Sequence, residues 1–215
     1  AVVTEYDVDY QIPAAQKVGV TTSYATGTSA KPFSKDIPEV LKYGRSIGSK
    51  YRFAFMNPNT FEQLANQDET LKKCSSTVQN IIGSQDAPDL TTVNAYLAKK
   101  AELFRGLQFI IIDQDITIEL ADGSRSTSNP FVDDVILFSE DKVLGNTYWK
   151  TPIDAKKLAG GVADKVIYGH TLVKKYSNES PVQEVTEGIS NLFPAWNLAG
   201  RSMLMQTNIT SWNKN

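Results

Sequence analysis

Apolar and polar positions alternate most clearly between Phe109 and Trp149, and the pattern there predicts β structure. Phe109–Asp113 reads as a buried strand and Ile116–Leu120 as an alternating one. Ala121-Asp122-Gly123-Ser124 has turn chemistry, and a polar loop follows. Val132–Phe138 is a third strand, before a short polar turn ending in Val143-Leu144-Gly145. Near the start, Glu5–Ile12 sets Tyr6, Val8, Tyr10 and Ile12 against Asp7, Asp9 and Gln11. Pro13-Ala14-Ala15-Gln16 interrupts it, and Val18–Tyr24 resumes an extended pattern, so the two runs predict a hairpin with a longer loop. Ala25–Pro32 is a small-residue linker.

Helical periodicity comes next. Asp36 is placed to cap a helix with Pro38 in its first turn, Ile37, Val40, Leu41 and Ile47 on one face, and Gly48 as its stop. Tyr51–Met56 reads as a central strand. Asn57-Pro58 opens a helix through Phe61 and Leu64, and a second short helix covers Glu69–Cys74. Ser75–Leu90 is mixed and polar. Thr91 or Thr92 is placed to cap a helix carrying Val93, Tyr96, Leu97 and Phe104, ended by Gly106. Toward the end, Lys150–Asp164 is a loop, Lys165–Tyr176 a long strand, and Pro181–Glu187 extended or short helix. Pro194–Gly200 turns the chain and Arg201–Thr207 is a final strand. Helices and strands are interspersed without a regular βαβ beat, which predicts an α+β fold.

Composition narrows the function classes. The chain has 215 residues, enough for one domain or two small ones with a real core. A formal net charge of −2 gives no bulk electrostatic reason to bind nucleic acid. Lysines come in pairs at most (Lys72-Lys73, Lys99-Lys100, Lys156-Lys157, Lys174-Lys175), the pattern of a solvated surface. Cys74 is the single cysteine, so no intrachain disulfide can form. Its neighbours Lys72 and Lys73 could lower the thiol pKa, but no base is at hand to make it a nucleophile. The longest purely apolar run is Phe109–Ile112, too short for a membrane span. No secretory signal is evident. The chain begins at Ala1 without Met, which leads us to expect a processed or trimmed product.

Catalytic equipment is sparse. Gly44-Arg45-Ser46-Ile47-Gly48 matches G-x-S-x-G, but a nucleophile elbow needs a strand before the serine and a helix after it. Here a helix leads in and a strand leads out, which places Ser46 in a last helical turn. The chain order Ser46, Asp133 or Asp134, His170 still permits a hydrolase triad. His170 is the sole histidine, in the predicted strand Lys165–Tyr176, and one histidine excludes multi-histidine metal sites. Asp113-Gln114-Asp115 begins like a calcium loop, but position 6 is Ile118 rather than Gly. Asp133-Asp134 sits at a predicted strand start, where neighbouring side chains face opposite ways and cannot share a proton. No phosphate-binding glycine loop occurs. The residues therefore assign no catalytic, cofactor or metal site.

The order of the segments resembles a known family. Val8-Asp9-Tyr10-Gln11-Ile12-Pro13, a strand ending in Tyr24, Pro32, the helix from Asp36, Phe55-Met56 and Asn57-Pro58-Asn59-Thr60-Phe61-Glu62-Gln63-Leu64 follow one another as in major capsid proteins of tailed bacteriophages and prophages, particularly the lambda-type major head protein group. Asp122-Gly123, Pro130–Leu137, Val143-Leu144-Gly145, Pro181–Thr186 and Phe193-Pro194 continue the likeness. It departs at Tyr24, where that family commonly has tryptophan, and at the loosely matching Tyr148-Trp149; the family's amino-terminal arm and leader are missing.

The resemblance implies the Hong-Kong-97-type capsid fold. Residues 1–33 would be an extended β-hairpin loop, 34–75 and 163–215 a peripheral domain with a long spine helix, and 76–162 an axial domain. It implies a structural, non-enzymatic protein without cofactor or metal, self-assembling as hexamers and pentamers into an icosahedral shell around double-stranded DNA. Its partners would be further copies, scaffold, decoration and portal proteins, and packaged DNA by non-specific contact, with no membrane. It would reside in the virion after assembly in the bacterial host cytoplasm. Two rivals stand beside it: a small serine hydrolase using Ser46 and His170, and a β-rich surface-binding module with Tyr148 and Trp149 in its groove.

Overall fold

The computed structural model describes residues 9–75, 87–119, 123–150, 164–168, 171–179 and 182–209. By contact, the chain divides into unit 1, residues 1–144 with 198–215, and unit 2, residues 145–197.

Unit 1 is built on a mixed sheet. Its strands are β1 (Lys17–Gly19), β2 (Phe53–Met56), β3 (Gln108–Ile111), β6 (Val135–Ser139) and β11 (Met203–Gln206), in the spatial order β1-β11-β6-β2-β3. β1 lies parallel to β11, and β2 parallel to β3, while β6 runs antiparallel to both of its neighbours. Among the described residues, five α-helices accompany the sheet: α1 (Ile37–Ser46), α2 (Pro58–Ala65), α3 (Asp68–Ser75), α4 (Leu90–Lys99) and α5 (Ala101–Phe104). The last four fall between β2 and β3, as a parallel pairing needs a long crossover. The core forms on one sheet face. Ala54, Met56, Phe109, Ile136, Phe138, Met203 and Met205 meet Ile37, Val40 and Leu41 of α1 and Val93 and Leu97 of α4. A separate polar hairpin, β4 (Ile116–Glu119) with β5 (Arg125–Ser128), completes the unit's strands among the described residues.

Phe33 is the centre of this core. It is fully buried, and its ring meets Tyr96 and Phe104 edge-on, at 5.4 and 5.9 Å between centroids, and stacks on Phe109 at 6.3 Å. Those contacts join the entry to α1 with α4, α5 and β3. Polar side chains fix the surrounding backbone. Gln67, itself buried, accepts from the Ala30 N–H and donates to the carbonyls of Tyr24, Gly27 and Gln63. Asp36 accepts from the Thr21 N–H, the Thr21 hydroxyl and the Tyr24 hydroxyl. Burial and the adjoining Asp36 carboxylate push the Tyr24 phenol well above its usual range.

Several sequence expectations need correction. The runs Glu5–Ile12 and Val18–Tyr24 do not pair among the described residues (1–8 fall outside them); β1 joins the five-stranded sheet beside β11, and Val20, Tyr24 and Ala30 are core residues. Of residues 17–33, Val20, Tyr24, Ala30 and Phe33 thus pack in the core of unit 1. Asp36 does not cap α1. The chain is already helical at Pro32–Asp36, a wide π-type turn, and Asp36 is inside it. The free N–H groups of Phe33 and Ser34 are instead met by Glu69 from α3, at 2.9 and 3.3 Å. Asp89, not Thr91 or Thr92, caps α4 by accepting from Thr92 N–H. That helix breaks at Lys100 before α5, which ends at left-handed Arg105 and Gly106. The expected polar loop after Gly123 contains β5, and Val132–Phe138 becomes strand only at Val135 because Asp134 has φ of +60°.

Unit 2 is a four-stranded antiparallel sheet in the order β7-β10-β9-β8. Its strands are β7 (Asn146–Lys150), β8 (Asp164–Tyr168), β9 (Thr171–Glu179) and β10 (Val182–Ala195). The expected single strand Lys165–Tyr176 is two, β8 and β9, paired from Asp164↔Lys175 to Tyr168↔Thr171. A period of two is the same in one strand or in two, so the pattern alone could not separate them. Of Pro181–Glu187, open between strand and helix, Val182–Glu187 belong to β10, which also absorbs Pro194, and Pro181 lies outside the described residues.

Two outcomes follow. Phe33→Ala is expected to cost about 3–5 kcal/mol of unfolding free energy, read as a lower midpoint in urea at an unchanged slope. Glu69 loses part of its solvent shell, but bonds from Lys73, Ser34 and Phe33 outweigh that and hold its carboxyl below the ordinary value. Its contribution is therefore complete above the unfolded value of about 4.3 and is lost as pH falls through the lower folded value. Stability against pH should flatten across that acidic window in Glu69→Gln; an unchanged acid limb would refute the role.

Candidate functional site

A polar cleft of about 510 Å³ lies in unit 1 where the start of α2 meets the entry to β6 and the segment after β3. Its floor follows from local chain chemistry. Asn57 precedes Pro58 and caps α2, its Oδ1 accepting from Thr60 N–H at 2.8 Å. The same side chain donates through Nδ2 to the Phe131 carbonyl at 3.3 Å and to Asp133 Oδ1. Asn59 Nδ2 reaches the same carboxylate oxygen at 3.3 Å. On the opposite wall, Asn129 donates to the Ile112 carbonyl and accepts from Phe131 N–H, at 2.8 and 2.9 Å. Asp113 and Asp115 are exposed at the rim.

This arrangement organises backbone. Asp133 serves two amides. Asp134, held left-handed, donates its N–H to Thr60 Oγ1, accepts from Thr207 N–H through its carbonyl and from Asn208 Nδ2 through Oδ2. The two adjacent carboxylates thus diverge, one toward α2 and one toward the end of β11. Among the described residues, no three His, Cys, Asp or Glu side chains gather to hold a metal ion.

The serine motif resolves into packing. Ser46 lies in the last turn of α1, as the sequence predicts, and its hydroxyl donates back to the Tyr43 carbonyl at 2.7 Å. Gly44 faces the Tyr51 ring, where a Cβ would come within 2.5 Å of Cε2. Gly48 has φ of +78°, the left-handed geometry that ends helices. Each glycine therefore has a structural reason, and the strand–serine–helix order of an elbow is absent. His170 lies outside the described residues, as does the turn Ala121-Asp122. Cys74 is buried, and burial pushes its thiol up to about 11 against the pull of Lys73, opposite to the lowering its basic neighbours could give. Tyr148 and Trp149 stand exposed on β7 of unit 2.

The residues that sequence reasoning missed are Gln67 and Glu69, together with the true role of Asp36. All three bond across more than ten residues of chain, so no local spacing marks them. Asn57 was legible because a cap before proline is a local signal.

No family model matches the chain, and no curated protein matches it. Solved structures do. A candidate capsid protein of prophage from E. coli CFT073 superposes with a TM-score of 0.57 at 12% identity, over 92% of this chain and 54% of that one. A phage-related protein from Bordetella bronchiseptica RB50 superposes with a TM-score of 0.51 at 14% identity, over 92% of this chain and 58% of that one. The chain thus spans little more than half the length of either. The expected α+β fold of the phage-capsid kind is the fold it shares with them.

The packing account of the serine motif has a direct consequence. Gly44→Ala should destabilise the protein by about 1–3 kcal/mol through overpacking against Tyr51, despite alanine's higher helix propensity. Ser46→Ala should stay within about 0.5 kcal/mol. Thermal unfolding of the pair, with ester hydrolysis assayed in parallel, checks this: equal stabilities, or esterase activity lost with Ser46, would overturn it.

Proposed function

We propose that this chain is the shell-forming part of a phage or prophage major capsid protein, a structural protein that self-assembles into an icosahedral head around double-stranded DNA. The observation that carries the reading is the fold shared over nearly all of the chain with a candidate prophage capsid protein. The local chemistry agrees with it. The Asp133 carboxylate is committed to the amides of Asn57 and Asn59, and Ser46 is bonded to its own helix. Among the described residues, no helix is long and apolar enough to cross a membrane.

Under this reading the partners are further copies in hexamers and pentamers, with scaffold, decoration and portal proteins beside them. Contact with packaged DNA is non-specific and weak, since a net charge of −2 gives no bulk attraction to it. The protein resides in the virion after assembly in the bacterial cytoplasm. The division into loop, peripheral and axial parts belongs to the same proposal. That division is residues 1–33 as an extended loop, 34–75 and 163–215 as a peripheral domain, and 76–162 as an axial domain.

Electron microscopy of the purified chain, alone and co-expressed with a phage scaffold protein, tests the reading. Rings, sheets or closed shells are expected as concentration rises. A chain that stays monomeric in light scattering under every condition, with no assemblies on the grid, would sink it.

A further inference from the structure

β3 lies in a stretch suited to binding its own kind. Gly106-Leu107-Gln108-Phe109-Ile110-Ile111-Ile112 holds no charge and no proline, and it is bracketed by Arg105 and Asp113. Such windows stack strand on strand when their margin is open. Among the described residues, β3 is the last strand on its side of the five-stranded sheet. The parallel register with β2 fixes which groups face out. Gln108 and Ile112 donate their N–H groups to the carbonyls of Arg52 and Met56, each at 2.8 Å. Every second residue serves β2 in this way, so Phe109 and Ile111 turn their N–H and C=O to the outer margin.

A side chain from another element takes both outward groups of Phe109. Asn94 Oδ1 accepts from the Phe109 N–H at 2.8 Å, and Asn94 Nδ2 donates to the Phe109 carbonyl at 3.1 Å. A residue of an added antiparallel strand would exchange the same two bonds. The amide thus stands where the backbone of a further strand would. Asn94 belongs to α4, whose Val93 and Leu97 are buried in the core with Phe109. The helix is thereby tied beside the margin, and covering by a helix is one of the ways in which edge strands are protected.

We infer that Asn94 is an edge latch: its side chain occupies the strand-pairing groups of Phe109 and keeps β3 from taking up the same segment of a second copy. The segment it covers is present in every copy, and identical segments stack in register. Beyond the latch one outward-facing residue of β3, Ile111, is left, whereas strands ordinarily pair over several residues. The latch does not rest on the capsid reading. In a shell subunit it keeps this margin out of the contacts; in a chain of any other role it holds off fibres.

Amide exchange and aggregation read the latch together. In Asn94→Ala the Phe109 amide should exchange roughly tenfold faster, about what one net hydrogen bond protects. Ile110, whose N–H points to β2, should keep its protection. Global loosening would speed both alike. At urea concentrations that unfold equal fractions, Asn94→Ala should form thioflavin-binding aggregate several times faster than Gly44→Ala, which disturbs packing at Tyr51 instead. Adding Ile111→Pro to Asn94→Ala should slow aggregation again, because β2 does not use that N–H. Should Asn94→Ala fail to fold, Asn94→Asp, which still accepts from Phe109 but cannot donate to it, carries the same measurements. Joint exchange of Phe109 and Ile110, aggregation no faster than in Gly44→Ala, or a double variant that aggregates as fast as the single one overturns the inference.

Discussion

The stretch from Val20 to Asp36 sends Val20, Tyr24, Ala30, Pro32, Phe33 and Asp36 into the interior with almost no ladder of its own, and unit 1 depends on how the backbone at those points is satisfied. An unpaired buried N–H or carbonyl costs about 1–3 kcal/mol, so such a segment needs partners from elsewhere. Gln67 meets one N–H and three carbonyls, Glu69 meets two helix-entry N–H groups, and Asp36 meets Thr21 and Tyr24. With these in place the Phe33 ring can enter the cluster of Tyr96, Phe104 and Phe109. Removing Gln67 would strand several backbone groups at once, whereas removing a surface ion pair such as Arg201–Glu140 would change little.

How much of this could be read in advance divides along a physical line. Features set by neighbours in sequence were legible: the Asn57-Pro58 helix start, the apolar stripe of α1, the central strands β2 and β11. Features set by distant partners were not. Asp36 has the composition of a cap and the position of one, yet the helix begins before it because Glu69, from another helix, supplies the bonds a cap would. β5 has no apolar face, since all four of its residues are exposed, and it pairs through steps such as Thr117 with Thr127, whose hydroxyls meet at 2.8 Å. A strand without a buried face leaves no alternation to detect. The acidic residues of the cleft were legible as turn or strand-end groups, but not their amide partners, because Asn57 and Asp133 are far apart in sequence.

On the capsid reading proposed above, a subunit has to fold alone on a margin of about 5–15 kcal/mol and still present surface that sticks only to its own kind. In unit 1 the apolar residues of β2, β6 and β11 are largely committed to the interior, while Leu103, Ile116, Val132 and Val143 stand exposed. In unit 2 Leu172 is buried, and Tyr148, Trp149, Leu192 and Phe193 stand exposed. Scattered apolar groups of this kind suit weak contacts. On the same reading that matters for a closed shell, in which each contact has to break and re-form while misplaced subunits leave, and in which strength comes from the number of contacts closed around a ring and not from any one of them.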